Sequence, residues 1–415
     1  MSRTDAKTRP PTHLLVPVTA GLVCALVGFT AAFAVVLGGL QAVGATPRQA
    51  ASGLLAVTIT MGIASVLLSW RFRMPITSAW STPGAALLLS TGMVAGGWPA
   101  AIGAFVCCGV LLTVTGLWPG LAKLVQRIPV PLAQAMLAGI LLPLCIAPVT
   151  SLASHPLSVL PIVLTWLVMT KLAPKWAVPA ALAVALVVIL IHLSNNGNAP
   201  AASAFIPVAE WTTPTFTIQA LTGIALPLYI VTMASQNIPG VAVMAGFGYQ
   251  VPWRPALVAT GFGSIVSAPF GGHAINLAAI SAALAAGPEA GRKEQRWIAG
   301  ITAGVAYIVL GLTSTGLAAA VLAAPPEIMQ TVAGIALFGA FAAACASAMA
   351  DPALRLPAAV TMLVAASGVQ IAGLSSAFWA LLAGCLIAVA ISPWRKLRKA
   401  STVHAATTAN ETSSG

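Results

Sequence analysis

Ser78-Ala79-Trp80-Ser81-Thr82-Pro83-Gly84-Ala85-Ala86 interrupts a long apolar stretch with polar and helix-breaking residues, and Ser267-Ala268-Pro269-Phe270-Gly271-Gly272-His273-Ala274-Ile275-Asn276 does the same in the second half of the chain. Each runs through Ser or Thr, then Pro, then Gly, into small apolar residues that suit a helix. The residue before a proline is driven to extended backbone. Proline at the first helical position is preorganised and lacks a donor that would be unpaired anyway. Each stretch therefore predicts a short extended piece feeding a half-helix whose amino end lies inside the apolar surroundings. Such an end offers unpaired N–H groups and about half a positive charge, and so attracts an anion.

Those surroundings are lipid. Of 415 residues, 59% are hydrophobic, 6% aromatic and only 6% charged, against roughly 25% charged in a water-soluble chain. Disorder, a disulfide-stapled secreted scaffold and a coiled coil fail on the same figures. At about 20 apolar residues per crossing, the chain reads as an all-α integral membrane protein. Apolar runs fall near 14–40, 49–70, 78–92, 98–118, 131–149, 156–172 and 176–193, and then near 218–240, 252–267, 270–287, 297–322, 328–349, 357–372 and 374–392. That is 14 transmembrane segments, a first repeat over 14–193 and a second over 218–393, joined by a periplasmic connection over 194–217. The tails 1–13 and 394–415 are too short to fold alone. The first apolar run far exceeds the ~7–15 residues of a signal-peptide core.

Lys and Arg test the parity, because they collect in every second loop, on the cytoplasmic side. With the amino terminus in the cytoplasm, all 19 basic residues except Arg48 fall on the inner side, from Arg3, Lys7 and Arg9 through Lys123, Arg127, Lys171 and Lys175 to Arg395 and Lys399. Both termini are then cytoplasmic. The net charge of +12 is thus a topology signal, with no compact basic block for nucleic acid. An odd number of segments per half makes homologous halves inverted, as in many secondary transporters. The two broken segments are the third and the tenth, matched in place, which puts two facing helix ends near the midplane.

The polar residues of this region are the candidates for substrate binding. Trp80, Ser81, Thr82, Pro83 and Gly84 come from the first break, and Pro269, Phe270, Gly271, Gly272, His273 and Asn276 from the second. Ser235, Gln236 and Asn237 interrupt the eighth segment ahead of Pro239-Gly240. Three adjacent polar side chains in lipid need partners. His273 is expected at the half-helix start, with Asn276 three residues on along the same helical face. An arriving carboxylate favours imidazolium, which would couple a proton to an anion. Trp80 and Phe270 flank the breaks and suit a planar apolar ligand. No carboxylate falls in either break or in the eighth segment. Asp351-Pro352 has the pattern of a helix N-cap followed by proline at the first position, with a proton relay as its functional alternative. Cys24, Cys107, Cys108, Cys145, Cys345 and Cys385 show no metal or redox spacing, and neither a metal nor a cofactor is expected.

The run Ser267 to Ile280, with Glu289 and Arg296-Trp297, and the run Val231-Thr-Met-Ala-Ser-Gln-Asn-Ile-Pro-Gly240 resemble the benzoate/proton symporter (BenE) family over about residues 13–393. The resemblance implies a bacterial inner-membrane carrier that imports benzoate with a proton. It also implies kinship with the inverted-repeat fold of nucleobase and sulphate-type carriers, in which a core (segments 1–4 and 8–11) moves against a gate (5–7 and 12–14) and pairing into homodimers is frequent. Nucleobase carriers typically place carboxylates on segments eight and ten. The matching stretches here offer Gln236, Asn237 and His273, which suits an anion rather than uracil.

The expected function is therefore alternating-access import of benzoate or a similar aromatic carboxylate with a proton carried by His273, by Asp351 or by the substrate. A same-fold carrier of sulphate or another organic acid is the alternative, followed by a channel. A membrane-embedded enzyme lacks the required cluster of catalytic side chains.

Overall fold

The computed structural model describes residues 14–118, 120–121, 128–195, 206–371 and 375–391. Both expected tails, Lys123, Arg127 and the Asn196-Gly197-Asn198 turn lie outside them. The described chain is mostly helical. In order, α1 is Leu15–Thr30, α2 Phe33–Ala42, α3 Pro47–Phe72, β1 Ser78–Trp80, α4 Thr82–Thr91, α5 Gly97–Leu117, α6 Val130–Ser154, α7 Pro156–Leu172 and α8 Ala177–Asn195. After the connection come α9 Ile218–Gly246, α10 Trp253–Ser267, β2 Ile275–Leu277, α11 Ile280–Ala286, α12 Trp297–Leu322, α13 Pro326–Ala348, α14 Arg355–Ala366 and α15 Ser376–Ile391. Among the described residues, eight helical stretches are long and apolar enough to cross a membrane.

Packing sorts these helices into two groups. One is built on α3 against α12, α1 against α12, α5 against α10 and α2 against α4. The other is α6 against α13 and α14, α14 against α15, and α7 against α8. α9 lies at the seam, touching α4 and α5 on one side and α6 and α15 on the other.

Small residues let the backbones of the first group approach, the usual device where lipid supplies no hydrophobic drive between helices. A Cβ on Gly62 of α3 would sit 2.6 Å from the Gly304 carbonyl of α12, and one on Gly304 would sit 2.6 Å from the Gly62 carbonyl. The first apolar run is not one helix. It breaks at Ala31 and Ala32, where Ala32 takes φ −144°. Phe29 and Phe33 stack across the break with ring centroids 5.7 Å apart.

The break at 78–86 forms as expected. Ser78–Trp80 is extended and Ser81 caps α4, accepting the Gly84 N–H on its side-chain oxygen at 3.1 Å. The second break differs. α10 runs to Ser267, Ala268–Phe270 continues as a 3₁₀ turn, and Gly271 reverses the chain at φ +94°. Residues Gly272 to Ala278 are not helical, with Ile275–Leu277 forming a strand, and the half-helix starts only at Ile280. Pro269-Phe270-Gly271-Gly272 is therefore the end of a helix rather than the start of one. His273 lies on the non-helical piece and Asn276 inside β2, so they share no helical face.

The reason is non-local. β1 and β2 pair antiparallel, with Ser78 opposite Leu277, Ala79 opposite Asn276 and Trp80 opposite Ile275. The ladder extends through Ser81 N to Ala274 O and Ala278 N to Thr77 O, both at 2.9 Å. Extended backbone inside lipid must satisfy its polar groups, and each break satisfies the other. Side chains close the account on the neighbouring helices. Ser65 of α3 accepts the Ser78 N–H at 2.8 Å, and Ser264 of α10 accepts that of Ile275 at 2.9 Å.

Asp351 is not a helix N-cap. α14 begins at Arg355, and the Asp351 carboxylate accepts the Ala353 N–H within the turn that precedes it.

Candidate functional site

Ser81 is where the elements of the site meet. Its amide extends the strand pair, its hydroxyl caps α4, and the same hydroxyl pairs with Thr232 of α9 at 2.8 Å. Its carbonyl, besides accepting the Ala85 N–H, lies 3.2 Å from His273 Nε2. A carbonyl only accepts, so Nε2 carries a proton. His273 is fully buried, and its Nδ1 has no partner among the described residues. The ring meets Phe105 of α5 edge-on, centroids 6.5 Å apart, and Phe105 in turn meets Trp98.

The tip of α4 is less bare than a sequence reading suggests. Pro83 has no N–H, and Ser81 takes those of Gly84 and Ala85. What remains is the Thr82 amide with the positive end of the helix dipole. A Cβ on Gly84 would crowd the Ser81 side chain and push the end of Leu228 of α9 aside. Trp80 is buried and packs against Phe29 at 5.3 Å.

The candidates from α9 divide. Asn237 is buried, and its side-chain oxygen accepts the Leu277 N–H of β2 at 2.9 Å, so it clamps the strand. Ser235 Oγ is buried without a partner among the described residues. Gln236 sits beside it, half-buried. Asn276 donates to the Leu277 carbonyl at 2.8 Å, leaving its side-chain oxygen without a described partner.

Other candidates fall elsewhere. Phe270 meets Trp211 edge-on at 5.3 Å, and its carbonyl accepts from Ser52 of α3. The Pro269 carbonyl accepts the Thr212 N–H. Both residues fasten the connection ahead of α9 to the bundle. Asp351 lies in its turn between α13 and α14.

Sequence reading missed Phe29, Phe105, Thr232 and Gln134. The first two leave only a lone aromatic in an apolar run, which any core shows. Gln134 has a clearer mark. It is the single amide side chain between Val130 and Ala147, and it donates to the Ala234 carbonyl at 3.3 Å.

Paired strands between membrane helices, with a capped half-helix and buried polar side chains converging on them, define a membrane transport protein. Solved structures share the fold. The transmembrane domain of a cyanobacterium bicarbonate transporter, BicA, matches with a TM-score of 0.59, 17% identity and coverage of 90% of this chain and 98% of that one. SLC26A9 matches with a TM-score of 0.57, 14% identity and coverage of 91% and 65%.

The sequence itself matches the family described as benzoate membrane transport protein (BenE) over residues 12–390, and the chain belongs to that family. The inner membrane protein YdcO of Escherichia coli (strain K12) is 36% identical over 377 residues, 90% of this chain and 94% of that protein. A benzoate membrane transport protein of Acinetobacter baylyi is 29% identical over 373 residues, 88% of this chain and 93% of that protein. The chain is thus a multi-pass membrane transporter.

Proposed function

We propose that this transporter imports benzoate or a similar small aromatic carboxylate together with a proton. The observation that carries the reading is His273, buried beside the capped tip of α4, its Nε2 committed to the Ser81 carbonyl and its Nδ1 unassigned. No carboxylate is built into this site. The described acidic residues sit elsewhere, Glu210 pairing with Arg48, Glu289 with Lys175 and Glu294 with Arg292. A proton on Nδ1 is balanced by an incoming carboxylate, and a carboxylate by that proton. Each favours the other, and the pair crosses without net charge.

The carboxylate rests between the Thr82 amide, the hydroxyls of Ser81 and Thr232, and His273. The ring lies against Trp80 and Phe105. Thr82, Pro83 and Gly84 shape the tip, Gly271 and Gly272 carry the turn that delivers His273, and Ser235, Gln236 and Asn276 supply further polar contacts. Asp351, within an exterior turn, is set aside as the coupling group in favour of His273.

The architecture is read as 14 transmembrane segments in a 7+7 inverted repeat, residues 14–193 and 218–393, with segments 3 and 10 broken. An in-plane two-fold would bring equivalent strands together antiparallel, as β1 and β2 are. Segments 1–4 and 8–11 form the moving core and segments 5–7 and 12–14 the gate, a division supported by the two packing groups that meet at α9. Both termini are cytoplasmic in a bacterial inner membrane, and the carrier pairs as a homodimer.

Uptake of radiolabelled benzoate into proteoliposomes under an imposed pH gradient tests the proposal. Accumulation should require the gradient and saturate. Aromatic acids should compete, whereas sulphate or bicarbonate competing better than any aromatic acid would shift the assignment to another anion.

A further inference from the structure

Two carbonyls of the helix α9 lack the donor four residues on that a regular helix supplies. Gly223 O would accept from the N–H four residues on, but that residue is Pro227, which has none. Ala234 O would accept from Ile238, but the Ile238 N–H reaches back five residues to Met233 in a π-turn. A second π-turn spans Leu221–Ala225, where the Leu226 N–H bonds Leu221 O. Such turns mark functional positions in helices more often than chance. Both carbonyls accept from side chains of the second packing group, that of α6 and α15. Ser375, ahead of α15, donates to Gly223 O at 3.0 Å, and Gln134 of α6 donates to Ala234 O at 3.3 Å. Both donors are buried.

Between the two stitches, a cavity of about 210 Å³ separates the groups, lined by Met136, Leu226, Ile230, Phe378 and Leu381 among others. Its walls are apolar. A carbonyl released from Ser375 or Gln134 meets there, among the lining side chains, only the weak thiol donor of Cys385. The cavity also lies on the face of α9 turned away from α4, because Leu226 and Ile230 are half a helical turn from Leu228 and Thr232, which face Gly84 and Ser81. It is therefore no part of the anion site.

We infer that Gln134 and Ser375 are positioning residues of the transport cycle: they pin the core helix α9 to the gate at these two carbonyls, and both bonds must break when core and gate slide. The inference rests on the core-and-gate reading above. Asn237, at the end of the Met233–Asn237 π-turn, holds β2, so the Gln134 stitch also ties gate position to the strand that follows His273. Each bond belongs to one access state, and its loss removes that state's preference without touching the anion's ligands.

Hydrogen–deuterium exchange on the purified full chain and uptake in proteoliposomes test this together. Ser375→Ala and Gln134→Leu should each speed amide exchange across 221–238 at least about fivefold, slow uptake by a similar factor, and leave equilibrium binding of benzoate within about twofold of wild type. Ser375→Thr, which keeps the donor, should behave as wild type. The decisive variant is Pro227→Ala, which restores an N–H four residues on from Gly223 O. In that background Ser375→Ala should change neither exchange nor uptake. A Ser375→Ala effect that persists beside Pro227→Ala overturns the inference, as does exchange unaltered in both single variants. Binding that falls in parallel with uptake would instead make these residues substrate ligands. If wild type takes up no benzoate, the substrate reading fails, while the exchange arms still decide the seam.

Discussion

The Ser81 carbonyl and His273 Nε2 stand 3.2 Å apart, and this contact joins the cap of the α4 half-helix to the non-helical piece from the other half of the chain. It fixes which ring nitrogen faces the protein and which is left for a proton. A glutamine in place of His273 would still donate an N–H to Ser81 O but would not titrate. His273→Gln should therefore keep benzoate exchange across the membrane while losing acceleration by an inward proton gradient. His273→Ala should lose both. In wild type, lowering the external pH should raise the initial uptake rate, because protonation on the outer side loads the carrier. Gradient-driven accumulation that survives His273→Gln would place the proton on the substrate.

Ser81→Ala removes the α4 cap and the partner of Thr232 together. A lost N-cap costs about 1 kcal/mol, and the site loses a hydroxyl that the anion would contact. Benzoate affinity should fall about tenfold, a factor worth about 1.4 kcal/mol, with thermal stability only slightly reduced. Ser81→Thr should retain most of the affinity. Isothermal titration on the purified protein reads both, and equal affinity in Ser81→Ala would remove the hydroxyl from the site.

The first break was legible because its causes are local: Ser81, Thr82-Pro83 and Gly84 specify a cap and a helix start within four residues. The second was legible only as a break. Its Pro and Gly sit at the end of α10, and the extended piece forms because Ser78–Trp80 lies beside it, a pairing that no local pattern announces. The displacement moved Asn276 from helix into β2 and His273 to the non-helical piece ahead of it, but left both buried at the crossing point. Asn237 was rightly singled out as polar in lipid, yet its partner is the Leu277 amide. Gln134 escaped notice because its acceptor exists only through a π-turn.

Asn237→Leu should act on the fold more than on binding. It strips the acceptor from the Leu277 N–H, and a buried unpaired amide costs about 1–3 kcal/mol. Asn237→Asp keeps an acceptor oxygen at the same place and should recover part of the loss. Thermal unfolding in detergent separates these variants. Wild-type stability in Asn237→Leu would show that the strand needs no clamp.

Two glycine substitutions should diverge. At Gly53 of α3 a Cβ would come within 2.5 Å of the Gly271 carbonyl and 2.8 Å of its carbon. Those are backbone atoms of the turn that delivers His273, where Gly271 takes φ +94°, a conformation open to glycine. Gly53→Ala should therefore displace the turn, lowering thermal stability and slowing benzoate uptake at least about tenfold; near-attack misplacements of about 1 Å act on this scale in other sites. Gly339, inside α13, has nothing within 4 Å of the same virtual atom. There the substitution should leave uptake unchanged and stabilise the helix by up to about 1 kcal/mol. If Gly53→Ala transports as well as Gly339→Ala, the close approach of α3 to the Gly271 turn is not what positions His273.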